Sequence, residues 1–73
     1  MDNVTLQKVI NTIYSEYPKT RGGSPRISRQ ADGRNLLVFS FFDTLPGSKS
    51  IQQNLRVVVD DQGRILKKSI SRG

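Results

Sequence analysis

The sequence predicts an α+β fold in which one N-terminal amphipathic helix packs on a four-stranded antiparallel sheet in meander order. Three observations lead to this prediction. Apolar residues recur at helical spacing over residues 6–17, an apolar run fills residues 36–42, and alternating apolar residues flank a turn signal after residue 52. The 73 residues suit a single domain, expected over 1–73, with a small core.

The helix is expected over about residues 3–17. Its apolar positions are spaced by three or four residues and form one stripe of Leu6, Val9, Ile10, Ile13, Tyr14 and Tyr17. Asp2 or Asn3 can cap its start, and Pro18 ends it because proline disfavours helical geometry in the preceding residue. We expect the stripe to cover this domain's own sheet rather than a partner or a membrane.

The central strand, about residues 35–44, contains the only run with bulky apolar residues on both strand faces. Alternation places Leu37, Phe39 and Phe41 on one face and Leu36, Val38 and Phe42 on the other. We expect the first set to lie beneath the helix, although the reverse assignment stays open. The run is too short to span a membrane.

A weaker strand, about residues 25–31, precedes the central one. Between them, Asp32 and Gly33 favour a two-residue turn, because both tolerate the positive φ that a type I′ turn requires. With that loop length Arg29 would face Leu36. A strand carrying arginines on both faces belongs at a sheet edge.

The last two strands are expected at about residues 52–60 and 64–71, joined by a turn ending at Gly63. In the simplest register Val58 opposes Leu66, although a slip of one residue is open. With Val59, Asp60 and Gly63, this hairpin resembles the closing hairpin of secreted and periplasmic helix-plus-sheet domains of the PepSY type. The resemblance covers about fifteen residues and implies no function.

The composition argues against catalysis. The chain has no cysteine and no histidine, which removes disulfides, thiol nucleophiles and the commonest general base and metal ligand. Its six carboxylates form no catalytic pattern. We therefore expect a non-catalytic protein with no cofactor, no metal ligands and no identified small-molecule site. Without a recognisable signal peptide or membrane span, a cytoplasmic location is the default expectation.

The positive charge belongs to the sheet half. Net charge is +6, and residues 1–18 contribute −1 because Lys8 stands against Asp2 and Glu16. A basic sheet surface attracts polyanions, so nucleic acid is one candidate partner. Candidate anion contacts are Arg21, Arg26, Arg29, Arg34, Arg56, Arg64, Lys67, Lys68 and Arg72. The loop at residues 19–26 is either a phosphate-contacting loop or a solvated linker.

The second candidate site is the sheet face away from the helix. A single helix covers one face of a four-stranded sheet, so six apolar residues should remain on the other. These are Leu36, Val38, Phe42, Val58, Leu66 and Ile70. The prediction is a binding module that pairs with a protein, or with a second copy as a homodimer, through this face. The alternative is non-sequence-specific binding of nucleic acid by the basic surface.

Overall fold

The computed structural model describes residues 2–72, without the side chain of Arg72. Helix α1 spans Asn3–Glu16. The Asp2 carboxylate caps it by accepting a hydrogen bond of 2.7 Å from the Thr5 amide. The helix ends at Tyr17, whose φ of −129° and ψ of 77° are non-helical because Pro18 follows. The predicted helix and both of its ends are confirmed.

The four strands are β1 (Arg26–Arg29), β2 (Asn35–Leu45), β3 (Lys49–Val59) and β4 (Ile65–Arg72). They form one antiparallel sheet in the order β1-β2-β3-β4, which confirms the predicted α+β fold and meander. β2 and β3 pair over their whole length, whereas β1 reaches only as far as Val38 on β2. The β2–β3 hairpin therefore forms the longest paired part of the sheet.

The core lies between α1 and one face of the central hairpin. It contains Val9, Ile10 and Ile13 from the helix and Leu37, Phe39, Phe41, Leu55, Val57 and Val59 from the sheet. The rings of Tyr14 and Phe39 pack edge to face with centroids 6.0 Å apart. The helix thus covers the face of β2 that the alternation predicted.

The chain between α1 and β1 includes a 3₁₀ helix at Pro18–Gly22 where a plain loop was expected. Thr20 is 1% exposed, and its hydroxyl donates a 2.7 Å hydrogen bond to the Tyr17 carbonyl. The Lys19 ammonium forms an ion pair with Asp43 on β2. These contacts tie the segment to the helix and to the sheet.

The predicted register of β1 is wrong by one residue. Asp32 and Gly33 adopt the expected positive φ, 63° and 71°, but Ala31 also belongs to the loop. Arg29 consequently pairs with Asn35 rather than with Leu36. Because a slip of one residue exchanges the two faces of a strand, Arg29 moves to the helix side of the sheet.

A β-bulge changes the second predicted register. Val59 pairs with Ile65 as expected, but Val58 pairs with Lys67, so Leu66 is an extra residue without a partner on β3. The bulge places Lys67 beside Val58 on the open face. Beyond it, Lys68 pairs with Val57 and Ile70 pairs with Leu55. Val57 and Leu55 are themselves buried on the helix side of the sheet. The expectation that Leu66 would oppose Val58 and that Ile70 would lie on the open face is therefore wrong.

Candidate functional site

The sheet face away from α1, called the open face here, takes alternate residues from every strand. Its members are Arg26 and Ser28 of β1, Leu36, Val38, Ser40 and Phe42 of β2, Gln52, Asn54, Arg56 and Val58 of β3, and Lys67 and Ser69 of β4. Arg34 precedes β2 on the same side and lines a cavity there. The open face is therefore a mixture of basic, amide, hydroxyl and apolar side chains.

Two neighbouring rows of cross-strand partners carry most of the positive charge of the open face. In one row Arg26, Val38 and Arg56 are direct cross-strand partners, so the two arginines flank a valine. Adjacent strands are about 4.8 Å apart, which places the backbones of these arginines about 10 Å from each other. In the next row Lys67 stands beside Val58. The cations are spread across the full width of the sheet.

Two lysines on the helix side, Lys19 and Lys68, form ion pairs with carboxylates. The hydrogen bond and charge of Lys19 hold the pKa of Asp43 below its ordinary value. Lys68 donates a 2.9 Å hydrogen bond to Glu16, which raises the pKa of the Lys68 ammonium. The same ammonium lies 5.6 Å from the centroid of the Tyr17 ring.

The open-face cations have no such partners. Within residues 2–72, the side chains of Arg26, Arg34, Arg56 and Lys67 form no ion pair or hydrogen bond with another described residue. These four side chains are therefore not held in ion pairs, and an anion approaching the sheet meets them on this face.

The other predicted anion contacts are dispersed. Arg29 and Lys68 belong to the helix side by register. The Arg21 guanidinium donates to the Tyr14 carbonyl at 3.4 Å, and Arg64 donates to Gln62 at 2.8 Å. The Arg72 side chain lies outside the described part of the chain. With Lys19 paired to Asp43, residues 19–25 are better described as a structured connection than as a phosphate loop.

The predicted apolar patch is smaller than expected. Leu36, Val38 and Val58 are half-buried, and Phe42 is 67% exposed. Ile70, which is 52% exposed, does not extend the patch because it pairs with Leu55 on the helix side, and Leu66, which is 50% exposed, has no partner on β3. Arginine and lysine interrupt what remains, so the face is not a continuous apolar surface.

The sequence reasoning overlooked the polar residues of the face. The Ser40 hydroxyl and the Asn54 side-chain oxygen are joined by a 2.9 Å hydrogen bond across β2 and β3, while Gln52 lies opposite Phe42. Period-two alternation would have assigned all three to this face once the β2–β3 register was known.

Two other kinds of site have no support in the described residues. Residues 2–72 contain no group of three acidic, histidine or cysteine side chains placed to hold a metal ion. No helix in the same range has the length and apolar character needed to cross a membrane.

Comparison of the chain with protein-family models, curated proteins and solved structures gave no match.

Proposed function

We propose that the open face binds single-stranded nucleic acid without sequence specificity. The observation that carries the proposal is the set of cations without local partners, Arg26, Arg34, Arg56 and Lys67, on the same face as the exposed Phe42. Cationic side chains attract phosphates, and an exposed aromatic ring provides a surface on which a base can stack. An antiparallel sheet that combines both is a suitable platform for unpaired nucleotides.

The shape of the face supports a single strand over a duplex. Proteins that read a duplex usually insert a helix or ribbon into a groove. Here α1 packs on the opposite side of the sheet, and Lys19 ties the 3₁₀ helix to that side as well. The open face is a surface of strands on which separate bases and phosphates can lie.

Self-association through the same face is the second candidate, favoured by the exposure of Phe42 beside the half-buried Val38. Pairing two copies face to face would bring Arg26 and Arg56 of one copy near the same residues of the other. Juxtaposed like charges oppose such a contact. Added salt would screen this repulsion and strengthen self-association, whereas it weakens phosphate binding.

Fluorescence anisotropy with labelled oligouridylate of about ten nucleotides tests the proposal, with salt varied from about 50 to 200 mM. Contacts from four cations predict that the logarithm of affinity falls with a slope near −2.8 against the logarithm of salt concentration, at about 0.7 per phosphate. Replacing two cations, Arg26→Gln with Arg56→Gln, should reduce that slope by about 1.4. The matched control is Arg29→Gln with Arg21→Gln, which removes equal charge from other positions.

Three results would contradict the proposal. The first is equal loss of affinity and slope in both double variants, since the open face would then have no special role. The second is binding of polyglutamate as tight as that of oligouridylate, which would indicate an acidic protein partner. The third is a dimer in light scattering that strengthens with salt while oligouridylate fails to bind, which would favour self-association.

A further inference from the structure

A cavity of about 440 Å³ lies at the end of the open face opposite to the β2–β3 turn. Three cations line it, Arg34, Arg56 and Lys67, and Leu36 and Val58 contribute its apolar part. Its volume falls within the range of about 300–1,000 Å³ that is usual for small-ligand pockets. The cavity is therefore large enough for a ligand with both an anionic and an apolar part.

One carboxylate, that of Asp32, also lines the cavity. Asp32 lies in the turn between β1 and β2 with φ of 63°, so the turn itself delivers the side chain to the cavity edge. A carboxylate opposes binding of a bare anion but accepts hydrogen bonds from hydroxyl groups, as acidic residues do from ribose in dinucleotide sites. The ligand should thus carry hydroxyls as well as an anionic group.

We propose that this cavity binds a ribonucleoside monophosphate group. The phosphate lies among Arg34, Arg56 and Lys67, a ribose hydroxyl donates to Asp32, and the base packs on Leu36 and Val58. A terminal phosphate carries up to two negative charges, so several cations suit it better than they suit the single charge of a phosphodiester. The inference rests on the proposed function, since it assigns the terminal nucleotide of a bound strand to one end of the same face.

The ligand could reach the cavity as a free mononucleotide or as the phosphorylated end of an RNA strand. Both ligands present a phosphate, a ribose and a base. NMR titration of ¹⁵N-labelled protein with UMP, deoxy-UMP, uridine and inorganic phosphate tests whether the cavity recognises these groups. UMP should shift amide signals in residues 30–36, 56–58 and 67–69, and the other three compounds should bind about tenfold more weakly or less. Oligouridylate with and without a 5′-phosphate then distinguishes the two sources.

Variants separate the roles of individual side chains. Lys67→Ala should weaken the binding of UMP about tenfold. Lys8→Ala removes equal charge from α1 and should leave the affinity for UMP unchanged. Asp32→Asn keeps a residue type that tolerates positive φ, and it should reduce the preference for UMP over deoxy-UMP. Val58→Thr makes the apolar part of the cavity more polar. It should weaken the binding of UMP without weakening the binding of inorganic phosphate.

The outcomes distinguish this inference from the proposed function. Oligouridylate that binds the open face while UMP shifts no cavity signal would overturn the cavity assignment alone. Inorganic phosphate that binds as tightly as UMP would also overturn it, by indicating a bare anion site. If UMP binds as expected but oligouridylate does not, the nucleotide site is supported and binding of a strand is contradicted.

Discussion

Gly63, in the turn between β3 and β4, lies directly against Thr5 in the first turn of α1. A Cβ added at Gly63 would come within 2.6 Å of the Thr5 side chain, closer than real Cβ atoms approach other atoms. Gly63 also has φ of +83°, where side chains are disfavoured. The Asp60 carboxylate fixes the same turn by accepting hydrogen bonds of 2.9 Å from the amides of Gln62 and Arg64. A side chain at residue 63 would therefore force Thr5 or the closing turn to move.

Gly63→Ala should destabilise the protein by about 2–4 kcal/mol, the sum of backbone strain and the displacement of Thr5. Gly47→Ala is the matched control, because Gly47 has the same φ of +83° but nothing within 4 Å of an added Cβ. It should cost only the strain, about 1–2 kcal/mol. Urea unfolding followed by circular dichroism measures both values. Equal losses in the two variants would contradict the close contact between turn and helix.

The helix cap should contribute a pH dependence to stability. The hydrogen bond from the Thr5 amide lowers the pKa of Asp2 below the value of 3.8 expected for the unfolded chain. A carboxyl whose pKa is lower in the folded state stabilises the fold above its unfolded pKa. That contribution is lost as the pH falls through the folded pKa. Stability should therefore decrease from about pH 5 downwards partly because the cap protonates.

Asp2→Asn isolates this effect, since asparagine also caps helices but does not titrate. The difference in melting temperature between the original protein and Asp2→Asn should be larger at neutral pH than at pH values below the folded pKa. Asp43, whose pKa is also lowered, titrates equally in both proteins and cancels from the difference. A difference that stays constant across this range would show that the cap does not depend on the charge of Asp2.

The helix and the central strand could be predicted because many residues in each follow the same hydrophobic periodicity. Five apolar positions define the stripe of α1, and Leu37, Phe39 and Phe41 all lie on the face that α1 buries. The outer registers depend on single residues. Ala31 joined the β1–β2 loop and Leu66 formed a bulge, and neither alanine nor leucine is a local signal for those roles. Each error exchanged strand faces, so the composition of the open face could not be predicted in full.

The bulge can be tested directly because the chain has no cysteine of its own. Val58→Cys combined with Lys67→Cys should form a disulfide under mild oxidation, since direct cross-strand partners have Cβ atoms about 5 Å apart. Val58→Cys with Leu66→Cys, the pair expected without a bulge, should cross-link much more slowly. Mass spectrometry of the oxidised proteins reports both yields. Preferential cross-linking of the second pair would restore the simple register, in which Val58 opposes Leu66.

Two phenylalanines of β2, three residues apart, should separate stability from binding. Phe39 is 1% exposed beneath α1, and Phe42 is 67% exposed on the open face. Phe39→Ala should cost about 3–5 kcal/mol. A domain of 73 residues has a total stability of only about 4–11 kcal/mol, so this variant should lose a large share of it. Phe42→Ala should change stability by no more than about 0.5 kcal/mol.

The same Phe42→Ala variant should bind oligouridylate about tenfold more weakly, because a base stacked on an aromatic side chain contributes about 1–3 kcal/mol. Phe42→Tyr keeps the ring and serves as the control that should retain binding. Anisotropy titrations at fixed salt give the affinities, and thermal unfolding confirms that all three proteins are folded. Loss of stacking should leave the salt slope unchanged, since the number of phosphate contacts is the same. If Phe42→Ala binds as tightly as the original protein, the bases do not stack on this ring, and the cations alone would have to account for the affinity.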